Sequence, residues 1–289
     1  MMIPKEIQKH ITVLQKNEIT EYHVYQKIAK RIKNDENRAI LLSIAEQEKQ
    51  HYDIWTTHMG KSQSPNRFHI FIFNLLSVIF GYTFTLKIME RGENKAKNYY
   101  ASIAAYLPIA AKIASEEDEH ETALIAMLDE ERLQYVGSMV LGLNDALVEL
   151  SGTLAGLTFA LANTTLISLS GLITGIAASL SMAASEYLSS KAENKKNALK
   201  SALYTGVAYI ITVVLLILPY LLIHNHFLAL GIMLGVAIVV IFVFNFYISI
   251  AKDTPFKKRF LQMSSISLGV AAISFGIGII IKLVLGVDV

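Results

Sequence analysis

The 289-residue chain contains no cysteine. This excludes disulfides, thiolate-bound zinc, iron–sulfur clusters and a rubredoxin-type electron-transfer centre. Haem is not expected either. Acidic residues are scarce in one half: 18 of the 24 precede Gly137, and only six follow it. The net charge of +2 comes without a basic stripe interleaved with aromatics, so nucleic acid is not an expected partner. A secretory signal peptide is not expected, because the first residues read as a polar helix. Long apolar runs fill the C-terminal half, several near the ~20 residues that carry a helix across a bilayer. The composition therefore predicts an all-α protein in two parts, a charged helical domain over 1–135 and a membrane domain over 136–289.

Helical periodicity covers residues 5–33 and 38–59, the second stretch stopped by Gly60 and, further on, Pro65. Residues 70–86 carry no charge but are short for a span. They read as the start of a long third helix reaching about Tyr106, with the apolar portion covered by the membrane surface, the membrane domain or a partner subunit. Pro108 opens a fourth helix that runs to about Tyr135. Five spans follow, near 137–162, 165–189, 201–223, 227–250 and 262–286. The 190–200 loop holds Lys191, Lys195, Lys196 and Lys200, and the 251–260 loop holds Lys252, Lys257, Lys258 and Arg259. The alternate connections, at Asn163-Thr164 and His224-Asn225-His226, have neither Lys nor Arg. The positive-inside rule then predicts a multi-pass cell-membrane protein with a cytoplasmic N-terminal domain and an outside C-terminus.

Two short patterns carry the chemistry. Glu48-x-x-His51 and Glu117-x-x-His120 each place a carboxylate and an imidazole one turn apart on one helix face. Glu18 lies seven residues before Tyr25, and Glu93 seven before Tyr100. Two Glu-donating helices plus two Glu-x-x-His helices are the ligand set of a four-helix-bundle di-iron or di-manganese carboxylate site. Bridging carboxylates offset the charge of a metal pair, and each histidine completes one ion, without any sulfur ligand. Glu46, Glu116, Glu119 and Glu121 read as solvated or outlying neighbours, not ligands. In the membrane part, Asp145 and Glu149 share a face of the first span, as do Met182 and Glu186 in the second. Ionisable groups there cost at least ~2.5 kcal/mol each and mark substrate paths. Hard and soft donors on two helices point to a divalent transition metal, with proton exchange as the natural coupling. Small-residue pairs such as Gly152-x-x-x-Gly156, Gly171-x-x-x-Gly175 and Gly231-x-x-x-Gly235 permit close packing of helices.

On these residues, the stretch from about 8 to 135 resembles ferritin-like proteins of the rubrerythrin type. The resemblance implies metal ligation by Glu18, Glu48, His51, Glu93, Glu117 and His120, and offers Glu90 as a further carboxylate. It sets Tyr25 and Tyr100 beside the site, as core aromatics or as redox partners. The absent cysteine-bound iron centre argues against the peroxidase activity of rubrerythrins. Residues 137–289, through Gly142-Leu-Asn-Asp145-Ala-Leu-Val-Glu149 and Ser181-Met182-Ala-Ala-Ser-Glu186, resemble the vacuolar iron transporter family. That resemblance implies a dimer that moves iron(II) or manganese(II) out of the cytosol in exchange for protons, with Asp145 and Met182 lining the path. Two features depart from plant members: Thr174 stands near the position of a path carboxylate, and a short Lys-rich loop replaces their Glu-rich cytosolic helices. The combined expectation is a metal exporter with a cytosolic ferritin-like, di-iron or manganese domain, working as a homodimer in membrane lipid. The alternative is a membrane-anchored di-iron oxidase or peroxidase (a ferroxidase) whose spans mainly tether it.

Overall fold

A computed structural model describes residues 3–93, 97–126, 134–195 and 197–285, with the side chains of residues 93, 97, 125, 126 and 285 outside it. All regular structure among the described residues is helical. The chain divides into two compact units, Met1–Glu130 and Glu131–Val289.

The first unit opens with α1 (Lys5–Ala29) and α2 (Asp35–Met59), packed along each other. Asn34 caps α2 by accepting a hydrogen bond from the Asn37 amide at 3.0 Å, and Gly60 ends it at φ +62°, a left-handed conformation that glycine adopts without steric cost. The long third helix expected from 70 to 106 is not continuous. It is interrupted between α3 (Arg67–Ile79) and α4 (Tyr82–Glu93); α5 (Lys97–Ala104) follows after 94–96, which lie outside the described residues. Gly81, at φ +94°, makes this break, because a residue in that conformation cannot continue a right-handed helix. Then α6 (Ile109–Ala126) follows directly after Pro108. Of the fourth helix expected to Tyr135, residues 127–133 lie outside the described residues.

Two apolar clusters hold this unit together. One joins Val24, Tyr25 and Ile28 of α1 with Leu41, Ile44, Leu86, Met89 and Leu124. The other joins Ile11 and Leu14 with Trp55, Tyr100, Ile103 and Ile113. Full burial of each large side chain is worth roughly 1.5–3 kcal/mol. The residues lying in sequence between the clusters are polar: Glu18 on α1, Glu48 and His51 on α2, Glu117 and His120 on α6.

The second unit consists of α7 (Val136–Leu161), α8 (Thr164–Ala192), α9 (Ala198–Leu222), α10 (His226–Ala251) and α11 (Phe256–Leu285). All five are long and apolar enough to cross a bilayer. Asn163 and Asn225 cap α8 and α10 through paired backbone amides at 3.0–3.1 Å, which fixes the two uncharged turns. The basic segments differ from expectation. Lys257, Lys258 and Arg259 lie on the first turns of α11, not in a loop, and Lys191 and Lys200 belong to α8 and α9. A helix of long cationic side chains keeps its charges in water while its backbone is already satisfied, so the loops shorten.

Helix α7 is central and touches the other four. Gly142 meets the backbone of Thr205, while Gly152 and Gly156 face Val270 and Ser274 of α11. The Gly152-x-x-x-Gly156 pair thus serves packing within the chain. By contrast, Gly231 and Gly235 have no atom within 4 Å of where a side chain would grow. A methyl group on Gly278 would fall inside van der Waals distance of the Gly156 carbonyl oxygen. Gly278→Ala should therefore lower the thermal unfolding temperature of the detergent-solubilised protein, by about 1–3 kcal/mol of strain. Gly231→Ala, which gains about 1 kcal/mol of helix propensity without a clash, should leave it equal or higher. Equal behaviour of the two variants would contradict this packing.

Candidate metal centre and membrane carboxylates

The i,i+3 spacing of the two Glu-x-x-His motifs does what helix geometry requires, presenting both donors inward on one face. One ligand atom from each of Glu18, Glu48, His51 and Glu117 lies within 4.8 Å of the others. His51 Nδ1 is 3.0 Å from Glu117 Oε1, 3.7 Å from Glu18 Oε2 and 3.8 Å from Glu48 Oε2. His120 Nδ1 is 3.2 Å from Glu48 Oε1 and 3.3 Å from Glu117 Oε2. The two imidazoles stack with centroids 5.7 Å apart. Glu18, Glu48, His51 and His120 are all at most 4% exposed.

A second layer of contacts holds these groups. The residue preceding each motif glutamate reaches across to the other helix: His51 Nε2 lies 3.0 Å from Glu116 Oε2, and His120 Nε2 lies 2.8 Å from Gln47 Oε1. Both imidazoles thus have the outer nitrogen fixed and Nδ1 turned toward the carboxylates, the usual arrangement for a metal-binding histidine. Tyr100 donates to Glu18 Oε1 at 2.8 Å and to Glu117 Oε1 at 3.3 Å, and the Trp55 indole donates to Glu18 Oε1 at 3.4 Å. Tyr25 instead packs within an apolar cluster. The sequence reading did not single out Trp55 or Gln47. Their signal was present, since Gln47 precedes Glu48 as Glu116 precedes Glu117, and Trp55 sits one turn beyond His51.

The donor set suits a hard or borderline divalent cation. Glu18 Oε2, Glu48 Oε2 and His51 Nδ1 are buried without a well-formed hydrogen bond, Nδ1 having only its ion-pair contacts with the carboxylates. A buried polar atom left so costs about 1–3 kcal/mol, and three that converge are satisfied together by one cation. Electrostatics agree. Burial raises the Glu18 carboxyl well above the ordinary range, reinforced by Glu117. Burial also raises Glu90, to about 8, with Glu121, Glu117 and Glu48 adding repulsion. Against the burial that opposes it, His51 is pushed up by Glu117, Glu18 and Glu48, and His120 by Glu117 and Glu48 to about 10. Burial works to raise Glu48 as well, but its neighbours Glu18, His120 and His51 hold it low. Without metal, these directions favour protons on the two histidines and on Glu18 and Glu90.

Of the expected ligands, Glu18, Glu48, His51, Glu117 and His120 come together, and Glu90 lies in the electrostatic field of the same group. The side chain of Glu93 lies outside the described residues.

In the membrane unit, Asp145 and Glu149 share a face of α7, where Val140, Leu141, Asn144, Asp145 and Val148 line an open groove of about 420 Å³. Asn144 Oδ1 is buried there without a partner, and Tyr209 donates to Glu149 Oε2 at 3.1 Å. Glu186 is buried on α8, its Oε1 accepting from Ser138 at 2.8 Å and Ser190 at 3.0 Å. It lines a separate cavity of about 520 Å³ with Ser189, Glu193, Lys195 and Ser201. Among the described residues, Glu186 and Asp145 thus line different cavities. The two cavities adjoin at Gly137 and Leu141, which line both. Met182 is half-buried on α8.

A family model, the VIT family, matches residues 136–198 and 192–279. The C-terminal region is a VIT family membrane domain, and with five apolar helices the chain is a multi-pass membrane protein. The family points to membrane metal transport. The match does not extend into residues 1–135. No curated protein and no solved structure matches the chain.

The shifts set a pH window for the metal-free first unit. Groups whose folded value is raised stabilise fully below their unfolded value and lose that contribution as pH rises through the folded value. For Glu90 that loss runs from 4.5 to about 8, and for His120 from 6.5 to about 10. Glu48, held low, acts oppositely and weakens the fold only as pH falls below 4.5. Chelator-treated protein should therefore unfold at falling temperature between pH 6 and 10, read by circular dichroism, and excess Mn(II) should flatten the trend. A profile that rises over that range would contradict the arrangement.

Proposed function

We propose that the protein exports iron(II) or manganese(II) from the cytosol in exchange for protons. In this reading the first unit is a cytosolic, ferritin-like, rubrerythrin-type domain that captures the metal, and the VIT family domain moves it. The observation that carries the reading is the conjunction in one chain of a VIT family membrane domain with a converging Glu18/Glu48/His51/Glu117 group in which one oxygen each of Glu18 and Glu48 is buried without a hydrogen-bond partner. Glu18, Glu48, His51, Glu117 and His120 would hold the cation, with Glu90 and Glu93 as further carboxylates. Gln47, Glu116, Trp55 and Tyr100 keep those groups in place. Metal displaces the protons that the cluster otherwise holds, so capture favours a neutral cytosol.

Within the membrane, Asp145 and Glu149 offer oxygen donors and Met182 a thioether, with Glu186 as a further carboxylate. Carboxylates that bind a cation when ionised and release it when protonated couple export to proton return. The open groove over Asp145 supports a homodimer in which a second copy of α7 closes it. The capped, uncharged turns at Asn163 and Asn225 and the cationic residues at the opposite helix ends support a cytoplasmic first unit and an outside C-terminus. A tether would need neither the Tyr209–Glu149 hydrogen bond nor a carboxylate buried among serines, which disfavours the membrane-anchored oxidase.

Flux into proteoliposomes across an imposed pH gradient tests the path. Asp145→Ala or Met182→Ala should cut Fe(II) or Mn(II) flux by roughly tenfold or more, at least the effect of disturbing a metal's outer partners. Wild-type flux in both variants would refute it. Glu48→Ala and His51→Ala should separately lower the metal content of the purified protein by elemental analysis, with helicity retained, and unchanged content would refute the capture site.

A further inference from the structure

Helix α3 has a face that the first unit leaves uncovered. Ile70 points into the apolar cluster of α1 and α2, and Phe73 packs against the same cluster. On the other side Phe68, Phe71, Leu75, Val78 and Ile79 are between 41% and 69% exposed. Their spacing of three, four and seven residues forms one continuous stripe along the helix. Such a contiguous apolar ridge marks a binding surface and not ordinary surface scatter. At 13 residues the helix is about 20 Å long, too short to cross a ~30 Å hydrocarbon core but suited to lying along its boundary.

Along the stretch of sequence that carries this ridge the charge has one sign. Between Asp53 and Glu90 the sequence has no acidic residue, while Lys61, Arg67 and Lys87 are basic. Lys61 and Arg67 are exposed before and at the start of α3. At its other end Arg31 donates to Ser77 Oγ at 2.9 Å and to the carbonyl and side-chain oxygens of Asn74. Lys30 and Lys33, on either side of Arg31, are exposed. An apolar ridge rimmed by cations is the pattern of a helix that inserts shallowly among anionic headgroups.

We infer that α3 is a membrane-surface anchor, docking the first unit on an anionic lipid bilayer through Phe68, Phe71, Leu75, Val78 and Ile79, with Arg31, Lys61 and Arg67 at the phosphates. A second protein copy would cover the stripe equally well, but it would not require the cationic rim. The five spans keep the bilayer within reach of the chain at all times, so a weak interfacial affinity suffices. The inference rests on the membrane domain and is independent of metal transport.

The chain's lack of cysteine makes the test clean. Full-length Phe71→Cys and Val78→Cys proteins, labelled with the fluorophore NBD, are reconstituted into nanodiscs of phosphatidylcholine and phosphatidylglycerol. Replacing part of the lipid by its brominated analogue should quench both labels, the response expected of groups at the headgroup–acyl boundary. A label at exposed Gln50 on α2 should be unaffected, and pure phosphatidylcholine should reduce quenching at 71 and 78. Emission at 71 and 78 that ignores brominated lipid overturns the proposal. So does a blue shift without bromine quenching, which means burial against protein, a second copy included. Equal quenching in pure phosphatidylcholine overturns the role given to the cationic rim.

Discussion

Repulsion among buried carboxylates governs the first unit. Glu18, Glu48 and Glu117 point into one small volume between two apolar clusters, and no lysine or arginine makes an ion pair with any of the three among the described contacts. In an environment of low polarity such charges cannot all remain ionised unless something positive joins them. Two histidines supply that when protonated, and a divalent cation supplies it better. The helices are spaced so that Leu14, Trp55 and Ile113 close one side of the volume and Val24, Ala45 and Leu124 the other. The hydrophobic core therefore shields the site from water, which strengthens the repulsion among its carboxylates.

The membrane unit answers a different problem with the same chemistry. A carboxylate within a span is tolerated when hydrogen bonds satisfy it, as Ser138 and Ser190 do for Glu186 and Tyr209 does for Glu149. Asp145 instead faces an open groove. Close helix approach at Gly142, Gly156 and Gly278 holds α9 and α11 against α7 and leaves the acidic face of α7 accessible. Under the proposed function the two units differ in their donor sets, largely enclosed in the first and set along an open face of α7 in the second.

Much of this was legible in the sequence. The i,i+3 motifs announced their own geometry because helix spacing alone sets it, and the five apolar helices fell close to where apolar runs and the Asn163 and Asn225 turns put them. The break at Gly81 was hidden, since Phe80-Gly81 interrupts neither the apolar run nor the helical period, and only the backbone angle reveals it. The exchange in which Gln47 steadies His120 and Glu116 steadies His51 depends on how α2 and α6 face each other, which no local pattern encodes. Likewise the separation of Glu186 from Asp145 into adjoining cavities follows from packing of α8 and α9 on α7 and not from spacing along either helix.

The central claim is that a divalent cation takes the place of protons among Glu18, Glu48, His51 and Glu117. The most direct measurement is a titration of metal-free protein with Mn(II) in weakly buffered solution, following bound metal and released protons together. Saturable uptake with release of about one or more protons per ion is the expected result, because His51 and His120 must give up protons for the cation to bind. Uptake with no proton release, or release unchanged in Glu48→Ala, would contradict the account.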